Sequence, residues 1–512
     1  MIPQETDLAN LYQIALAAAE AFEQWKSQPT LRALTLMAAA DALDDAENEL
    51  VSIAMQETGL TEMRLRGELK RTEVQLRLFA DVVRRAQYLD LRIDAADPDF
   101  LLGARPDLRR TLVPVGPVVN FSSSNFPFAF SVAGGDTASA LAAGCSVIVK
   151  AHPGHPVLSS RTAQIVSGAL ESSGAPPHVL QIIFGQRAGI EMLQHSLVRA
   201  GTFTGSIRAG RLLADIAAAR PRPIPFYGEL GSVNPQFVTR ARTHNDAETV
   251  WSGYVASVSS SAGQFCTKPG FLFVPKGSIV EQSIRDAAMK IEEHRMLNTK
   301  IAQSYRDRRD FVLSQSGVKI IVEGSLRFDE RGEGWVTPTF VSTSADALET
   351  CGAEMLDECF GPLSIVVEYD HEGQLAALAR QLFPGNLTGG IHAAIEESSP
   401  ALRALVDELS ASSGRVVFND WPTGVAVTSA QQHGGPWPST TSDAGTSVGT
   451  AAIGRFLRGV AYQNMPQHLL PETLRDGNPW DVPRTCSPAG DSKHWGEAEV
   501  SELQYEPRQG PK

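Results

Sequence analysis

The chain has 512 residues, 43% hydrophobic and 20% charged, with a formal net charge of −13. That length exceeds one compact core and implies two or three packed units. The acidic balance argues against a broad phosphate-binding face, so no nucleic acid partner is expected. The five cysteines (Cys145, Cys266, Cys351, Cys359 and Cys486) form no CxxC pair. A disulfide framework or zinc ribbon therefore has little support, and a reducing cytoplasm fits best. The opening "MIPQETDLANLYQ" lacks the basic start and apolar core of a secretory signal, and no apolar run reaches membrane-span length.

In chain order, Leu8, Leu11, Ala15, Ala18 and Phe22 have amphipathic spacing and predict a helix over 8–25. Thr30 is a candidate N-cap for a second helix, and a third is expected over 61–85. Around "RRTLVPVGPVVNF" (109–121) β-branched residues with Pro114 and Pro117 force extended chain. Strand and helix signals then alternate. An alanine-rich helix ends near Gly144, and "CSVIVK" (145–150) reads as a strand before helix 157–171. "VLQIIFG" (179–185) precedes helix 188–196, and "GTFTGS" (201–206) precedes helix 207–219. That alternation implies a parallel sheet covered by helices, with ligands beyond the carboxyl ends of its strands. A second α/β unit follows. Its expected strands are 271–274, 363–369, 387–393 and 414–420, with helices near 278–294, 371–382 and 397–407. Residues 466–512, rich in proline, glycine and charge, read as an irregular packed tail or partly disordered chain.

Five stretches could carry chemistry. Cys266 in "SSSAGQFCTKPG" sits among small residues, where another molecule can approach a nucleophile; a structural cysteine usually has larger apolar neighbours. Asn125, before "FP", falls at a strand-to-helix junction and could donate to an oxyanion, although an isolated asparagine is more often a cap. Lys150 ends an apolar strand and could bind ribose or phosphate, or simply be solvated. His152 and His155 beside it have no acidic or cysteine neighbours that would suggest a metal. In "FTGSIRAGR", Gly205 lets the chain turn, Ser206 opens a helix whose free N–H groups could meet phosphate, and Gly210 follows. Glu229 in "FYGELGSVNP" could act as a base if partly buried.

Together these stretches resemble the aldehyde dehydrogenase superfamily. Its motifs read here "NFP" (125–127), "VIVKAHP" (147–153), "FTGS" (203–206), "ELGS" (229–232), "GQFC" (263–266) and "ECFGP" (358–362), in the family's order. The resemblance covers roughly 8–460 and implies an α/β fold. It comprises a Rossmann-like cofactor domain (1–95 and 116–230), an α/β catalytic domain (231–435) and a β oligomerisation arm (96–115 and 436–465), with the irregular tail at 466–512. It implies Cys266 as nucleophile, Glu229 as base and Asn125 as oxyanion donor. Lys150, Ser206, Glu358 and Phe360 would surround the dinucleotide. A thiolate would attack the aldehyde carbon. Asn125 and the Cys266 N–H would hold the alkoxide, at roughly 3 kcal/mol per donor. After hydride transfer, water activated by Glu229 would cleave the thioester.

Many NAD-using relatives carry a glutamate three residues after the strand-ending lysine, where this chain has Pro153. Lys150, His152 and Arg187 are candidate partners for a 2′-phosphate, so NADP is the expected preference, with NAD the alternative. The stretches at 67–80, 150–156, 418–443 and 454–466 resemble the branch acting on 2,5-dioxovalerate (α-ketoglutaric semialdehyde) and its NADP-linked fatty aldehyde relatives. Arg71 is a candidate partner for a substrate carboxylate and His433 for proton movement at the thiol; a surface arginine and a structural histidine are the alternatives. The presence of Glu229 disfavours a CoA-acylating enzyme. Retention of nucleophile, base and donor disfavours a non-catalytic relative. The arm implies a homodimer or homotetramer, and no metal is expected at the site.

Overall fold

A computed structural model describes residues 2–245 and 247–495. Its first unit is a five-stranded parallel sheet in the order Leu180–Ile183, Val147–Lys150, Val118–Phe121, Ala200–Thr204, Phe226–Glu229. The chain leaves the central strand Val118–Phe121 first to one side and then to the other. Its switch point therefore lies between that strand and Ala200–Thr204, the place where such sheets take ligands. Helices Pro156–Ser172, Gln186–Gln194 and Ile207–Ala218 match the expected ones within two residues. The second helix begins at Pro29, not after a Thr30 cap. Proline at the first helical position has the right φ and no N–H to leave unpaired. Helix Glu62–Arg85 starts where expected: the Thr61 hydroxyl accepts the Arg64 N–H. Leu65, Leu69, Leu76, Phe79 and Val83 bury one face of it, and Arg64, Glu68 and Arg71 are carried toward the second unit.

That second unit is a seven-stranded sheet in the order Lys319–Val322, Thr339–Ser344, Leu363–Tyr369, Phe271–Pro275, Gln236–Val238, Asn386–His392, Ser413–Phe418. All pairs are parallel except the first. Strand Asn386–His392 (NLTGGIH) is buried along its whole length, which fits a sequence without polar–apolar alternation. The helix expected over 278–294 is shorter, Glu281–Ala288. Helices Ala247–Ser259 and Thr299–Leu313 had no clear signal. In Thr299–Leu313 only Ala302, Tyr305 and Val312 are buried, too few to mark an apolar stripe.

The arm is a four-stranded sheet ordered Leu457–Gln463, Leu108–Pro114, Arg92–Asp94, Thr485–Ser487. Arg92–Asp94, expected in the cofactor unit, pairs here with Leu108–Arg110. Residues 436–456, expected in the arm, instead lie against the first unit, where Thr440 bridges to Glu229. The described part of the tail is packed, not disordered. Thr485–Ser487 adds a parallel strand to Arg92–Asp94, and Leu470, Leu474 and Val482 share a small core with Ala86 and Leu91. Arg109 Nη1 donates to the Leu474 carbonyl at 2.7 Å and pairs with Asp476 at 2.6 Å. Three apolar anchors over thirteen residues carry no readable periodicity. Residues 496–512, the end of the stretch expected to be an irregular or partly disordered tail, lie outside the described residues. Among the described residues no helix is long and apolar enough to cross a membrane.

Candidate active site

Cys266 follows a tight left-handed turn. Ser261, Ala262 and Gly263 have φ of 49°, 54° and 65°. Two of these are non-glycine residues in a region that costs them roughly 1–2 kcal/mol each, so the surrounding packing holds this backbone against strain. Asn234 Nδ2 then donates to the Cys266 carbonyl at 2.8 Å and the Lys268 carbonyl at 3.0 Å. The thiol is left half-buried at the junction of the two units.

Glu229 ends the edge strand of the cofactor sheet and is 4% exposed. His433 Nε2 lies 3.0 Å from Glu229 Oε1 and 3.7 Å from Cys266 Sγ. The Ser447 hydroxyl donates a short hydrogen bond to Glu229 Oε2. His433 and Ser447 are tied to each other, since the Ser447 N–H donates to the His433 carbonyl at 2.8 Å. One segment thus delivers both side chains to the carboxylate. Burial pushes the Glu229 carboxyl up, but His433, Ser447 and the Cys266 thiol together hold it below its usual range. The Cys266 thiol goes the other way. Burial first, then the Glu229 charge, raises it well above the ordinary thiol range. The site therefore rests as thiol and carboxylate, with base and acid already in contact.

Asn125 is buried, and its Nδ2 donates to the Gln264 carbonyl at 3.1 Å. An amide nitrogen has two hydrogens, so that bond leaves its second N–H available. Two residues that carried no separate sequence signal hold this loop. Glu68 Oε1 accepts the N–H groups of Phe128 and Ala129 at 2.8 and 2.9 Å. Arg64 pairs with Glu68 Oε2 and donates to the Asn125 carbonyl at 3.0 Å. Its guanidinium lies 4.5 Å from the Phe126 ring centre and 5.2 Å from that of Phe265. One ion pair joins helix Glu62–Arg85, the Asn125 loop and the Cys266 segment.

A cavity of about 250 Å³ opens on Cys266 and His433. Arg64, Glu68, Arg71, Phe126, Phe130, Phe265, Thr423 and Val425 are among its lining. Arg71 is no ordinary surface arginine. Its guanidinium lies 5.8 and 5.4 Å from the Phe126 and Phe130 ring centres, and its buried Nη1 has no hydrogen-bond partner. Burial pushes its pKa down, opposed by the charges of Glu68, Cys266 and Glu229.

The cofactor candidates collect beyond the strand ends of the first unit. Ser206 caps helix Ile207–Ala218 by accepting the Ala209 N–H at 3.4 Å, leaving the first-turn donors facing the switch point. Gly205 has an ordinary φ; it is glycine because a Cβ would stand 2.5 Å from the Phe203 ring. Gly210 is buried, with a Cβ there reaching 2.1 Å from Leu230, so the helix packs closely at this position. Lys150 is half-buried, and burial lowers its pKa. His152 departs from its expected part as a cation. Burial, then the charges of His155, Lys150 and Lys300, pushes it well below the histidine range, so it brings no positive charge. Its Nδ1 accepts the Gly154 N–H at 3.0 Å. Arg187 is exposed at the start of its helix and pairs at 2.8 Å with Glu191. A residue not foreseen is Glu5, whose carboxyl carbon is 3.1 Å from where a Gly185 Cβ would stand.

Glu358 rests against Gly231, where a Cβ would approach its Oε2 to 2.4 Å. Burial pushes it up to about 7, with the Lys268 charge opposing. Phe360 packs against the core of the first unit. The "ECFGP" segment thereby crosses from the catalytic unit to the cofactor sheet. A strand-end lysine, an open helix N-terminus and a carboxylate crossing toward the thiol fit a dinucleotide laid over the switch point.

Residues 3–458 match the Aldehyde dehydrogenase family. The chain belongs to the aldehyde dehydrogenase family. This aldehyde dehydrogenase is 40% identical over 484 residues to the alpha-ketoglutaric semialdehyde dehydrogenase of Acinetobacter baylyi, covering 94% of the chain and 91% of the relative. It is 39% identical to alpha-ketoglutaric semialdehyde dehydrogenase 2 of Azospirillum brasilense, covering 91% and 89%. Among solved structures, a 1-pyrroline-5-carboxylate dehydrogenase from Thermus with bound NAD superposes with a TM-score of 0.76 at 21% identity, over 90% of this chain and 86% of that one. Within this aldehyde dehydrogenase, the superfamily motifs of the first unit therefore meet those of the second around one sulfur.

Proposed function

We propose that the enzyme oxidises 2,5-dioxovalerate to 2-oxoglutarate, with NADP as preferred hydride acceptor. The observation that carries the substrate is Arg71: a half-buried arginine whose Nη1 is buried and unpaired, lining the cavity that opens on the nucleophile. An unpaired buried donor is costly unless a ligand satisfies it, and a carboxylate fits a guanidinium by charge and shape. The 40% identical relative named for this aldehyde supports the same reading.

The chemistry follows from the contacts. Cys266 Sγ passes its proton to the Glu229–His433 pair as it attacks the aldehyde carbon. The free Asn125 N–H and the Cys266 N–H stabilise the alkoxide. The dinucleotide, when bound, supplies the hydride acceptor that turns this adduct into a thioester. The proton taken from the thiol leaves the pair to solvent, and Glu229, steadied by His433 and Ser447, then takes a proton from the attacking water. Hydrolysis releases the acid and restores the thiol. Lys150, Ser206, Glu358 and Phe360 would hold the dinucleotide.

Replacing Arg71 by Met should raise KM for 2,5-dioxovalerate about ten- to a hundredfold, the worth of one charged hydrogen bond, and leave propanal little changed. An equal loss on both aldehydes would remove Arg71 from substrate recognition. Turnover of a long-chain aldehyde above that of 2,5-dioxovalerate would favour the fatty aldehyde alternative.

The NADP preference rests on Pro153, which supplies no carboxylate, and on the exposed Arg187 beside Gly185. Glu5 is the specific observation favouring NAD, because its charge faces Lys150 where a 2′-phosphate would be repelled. The Arg187→Ala enzyme should lose roughly tenfold in kcat/KM with NADP and little with NAD; an unchanged ratio would leave the choice to Glu5. We place the reaction in the cytoplasm, in keeping with five free cysteines, and in a homodimer or homotetramer. Supporting the latter, Leu457–Gln463 is an edge strand of the arm, and edge strand Ser413–Phe418 exposes Val416 and Phe418.

A further inference from the structure

The three side chains that handle the thiol also match a metal's requirements. Cys266 Sγ, His433 Nε2 and a Glu229 oxygen all lie within 4.8 Å of one another, the one such group found among the described residues. The sulfur and nitrogen are 3.7 Å apart, the nitrogen and oxygen 3.0 Å. A tetrahedral zinc ion with ordinary bond lengths separates such donors by about 3.4–3.6 Å. The sulfur–nitrogen and nitrogen–oxygen separations are therefore within a few tenths of an ångström of a ligand set, and the sulfur–oxygen pair lies within 4.8 Å. The fourth position would face the cavity and admit water.

We propose that Cys266, His433 and Glu229 form a reversible zinc site that inhibits the enzyme by occupying nucleophile and base together. Sulfur, imidazole and carboxylate are the donor types zinc favours. On binding, the metal replaces the thiol proton, which leaves to solvent. The imidazole uses its Nε2 lone pair and carries its own proton on Nδ1. That atom is buried and has no hydrogen-bond partner, so the proton moves to a nitrogen with no competing bond, while the Nε2–H bond to Glu229 is given up for the metal bonds of both groups. The negative charge that keeps the thiol protonated would instead attract a divalent cation. Ser447 would hold the free carboxylate oxygen as a supporting contact to the ligand. The inhibition rests on the aldehyde-oxidising reading; the binding does not.

The test uses the full chain, stripped with EDTA and titrated with ZnCl2 in a calorimeter, with iodoacetamide labelling of each cysteine read by peptide mass. The expected result is one zinc per chain and Cys266 labelling slowed at least tenfold, reversed by EDTA. The exposed Cys486 serves as control and should label unchanged. Co2+ should give a thiolate-to-cobalt charge-transfer band that is lost in Cys266→Ser, and His433→Ala should weaken zinc binding at least tenfold. Zinc that leaves Cys266 labelling unchanged, or stoichiometric binding that persists in Cys266→Ser, would overturn the proposal. Protection of Cys266 in an enzyme that oxidises no aldehyde even when stripped would support the site and count against the catalytic reading.

Discussion

The Cys266→Ser enzyme is expected to lose aldehyde oxidation by at least about a thousandfold, because a serine hydroxyl is a far weaker nucleophile than a thiol. The surroundings deepen the loss. The position is half-buried beside the Glu229 carboxylate, whose charge already keeps a thiol protonated, and an alkoxide would be disfavoured more strongly. Ser and Cys differ little in volume, so the turn at Ser261–Gly263 and the Asn234 contacts should persist. Cofactor affinity, read by fluorescence titration, should stay within twofold of the parent, since Lys150, Ser206 and Glu358 are untouched. Nicotinamide absorbance measures the oxidation. Turnover near the parent rate would place the nucleophile elsewhere.

Replacing Glu229 by Gln should separate the two halves of the reaction. Hydrolysis of the thioester needs a base, and loss of a general base lowers that step about a hundred- to ten-thousandfold. Acylation has a different dependence. Removing the carboxylate takes away a negative charge that raises the thiol pKa, so that pKa should fall. The pH profile of Cys266 labelling by iodoacetamide should consequently move to lower pH. On mixing with aldehyde and cofactor, one reduced nicotinamide per active site should appear in a burst, followed by slow turnover. Intact mass should then show an acyl group on Cys266. If no burst appears while labelling still shifts, the carboxylate is needed before hydride transfer as well. An unshifted labelling profile would show that its charge does not reach the sulfur.

Much of this site was legible as separate short stretches. "VIVK" and "FTGS" announce strand ends through their apolar runs and the glycine that follows, and "GQFC" stands out because its neighbours are small. Other members carried no local mark. Ser447 is one serine in the "TSVGT" run, and its short bond to Glu229 exists because it pairs through the backbone with His433, fourteen residues earlier. Arg64 and Glu68, four residues apart on a helix, carry no sequence mark that separates them from an ordinary surface ion pair. Packing of that helix against the Asn125 loop turned them inward, where Glu68 meets backbone donors left free after Pro127. Glu5 lies in a stretch without apolar pattern. It comes near Lys150 only because the Thr6 N–H and hydroxyl bond to the main chain of Phe184.

Strand and helix periodicity and proline placement indicate the two α/β units, and the resemblance carried by the order of the motifs points to Cys266, Glu229 and Asn125 as candidate nucleophile, base and oxyanion donor. These are local signals, written in which side chains recur every second or every third to fourth position. Which charges face each other is a property of the folded chain alone. Arg71 becomes a candidate anion site, His152 a neutral imidazole and His433 a partner of both acid and thiol only once burial removes water and brings distant residues within about 4 Å, where Coulomb and hydrogen-bond energies grow large enough to select a protonation state.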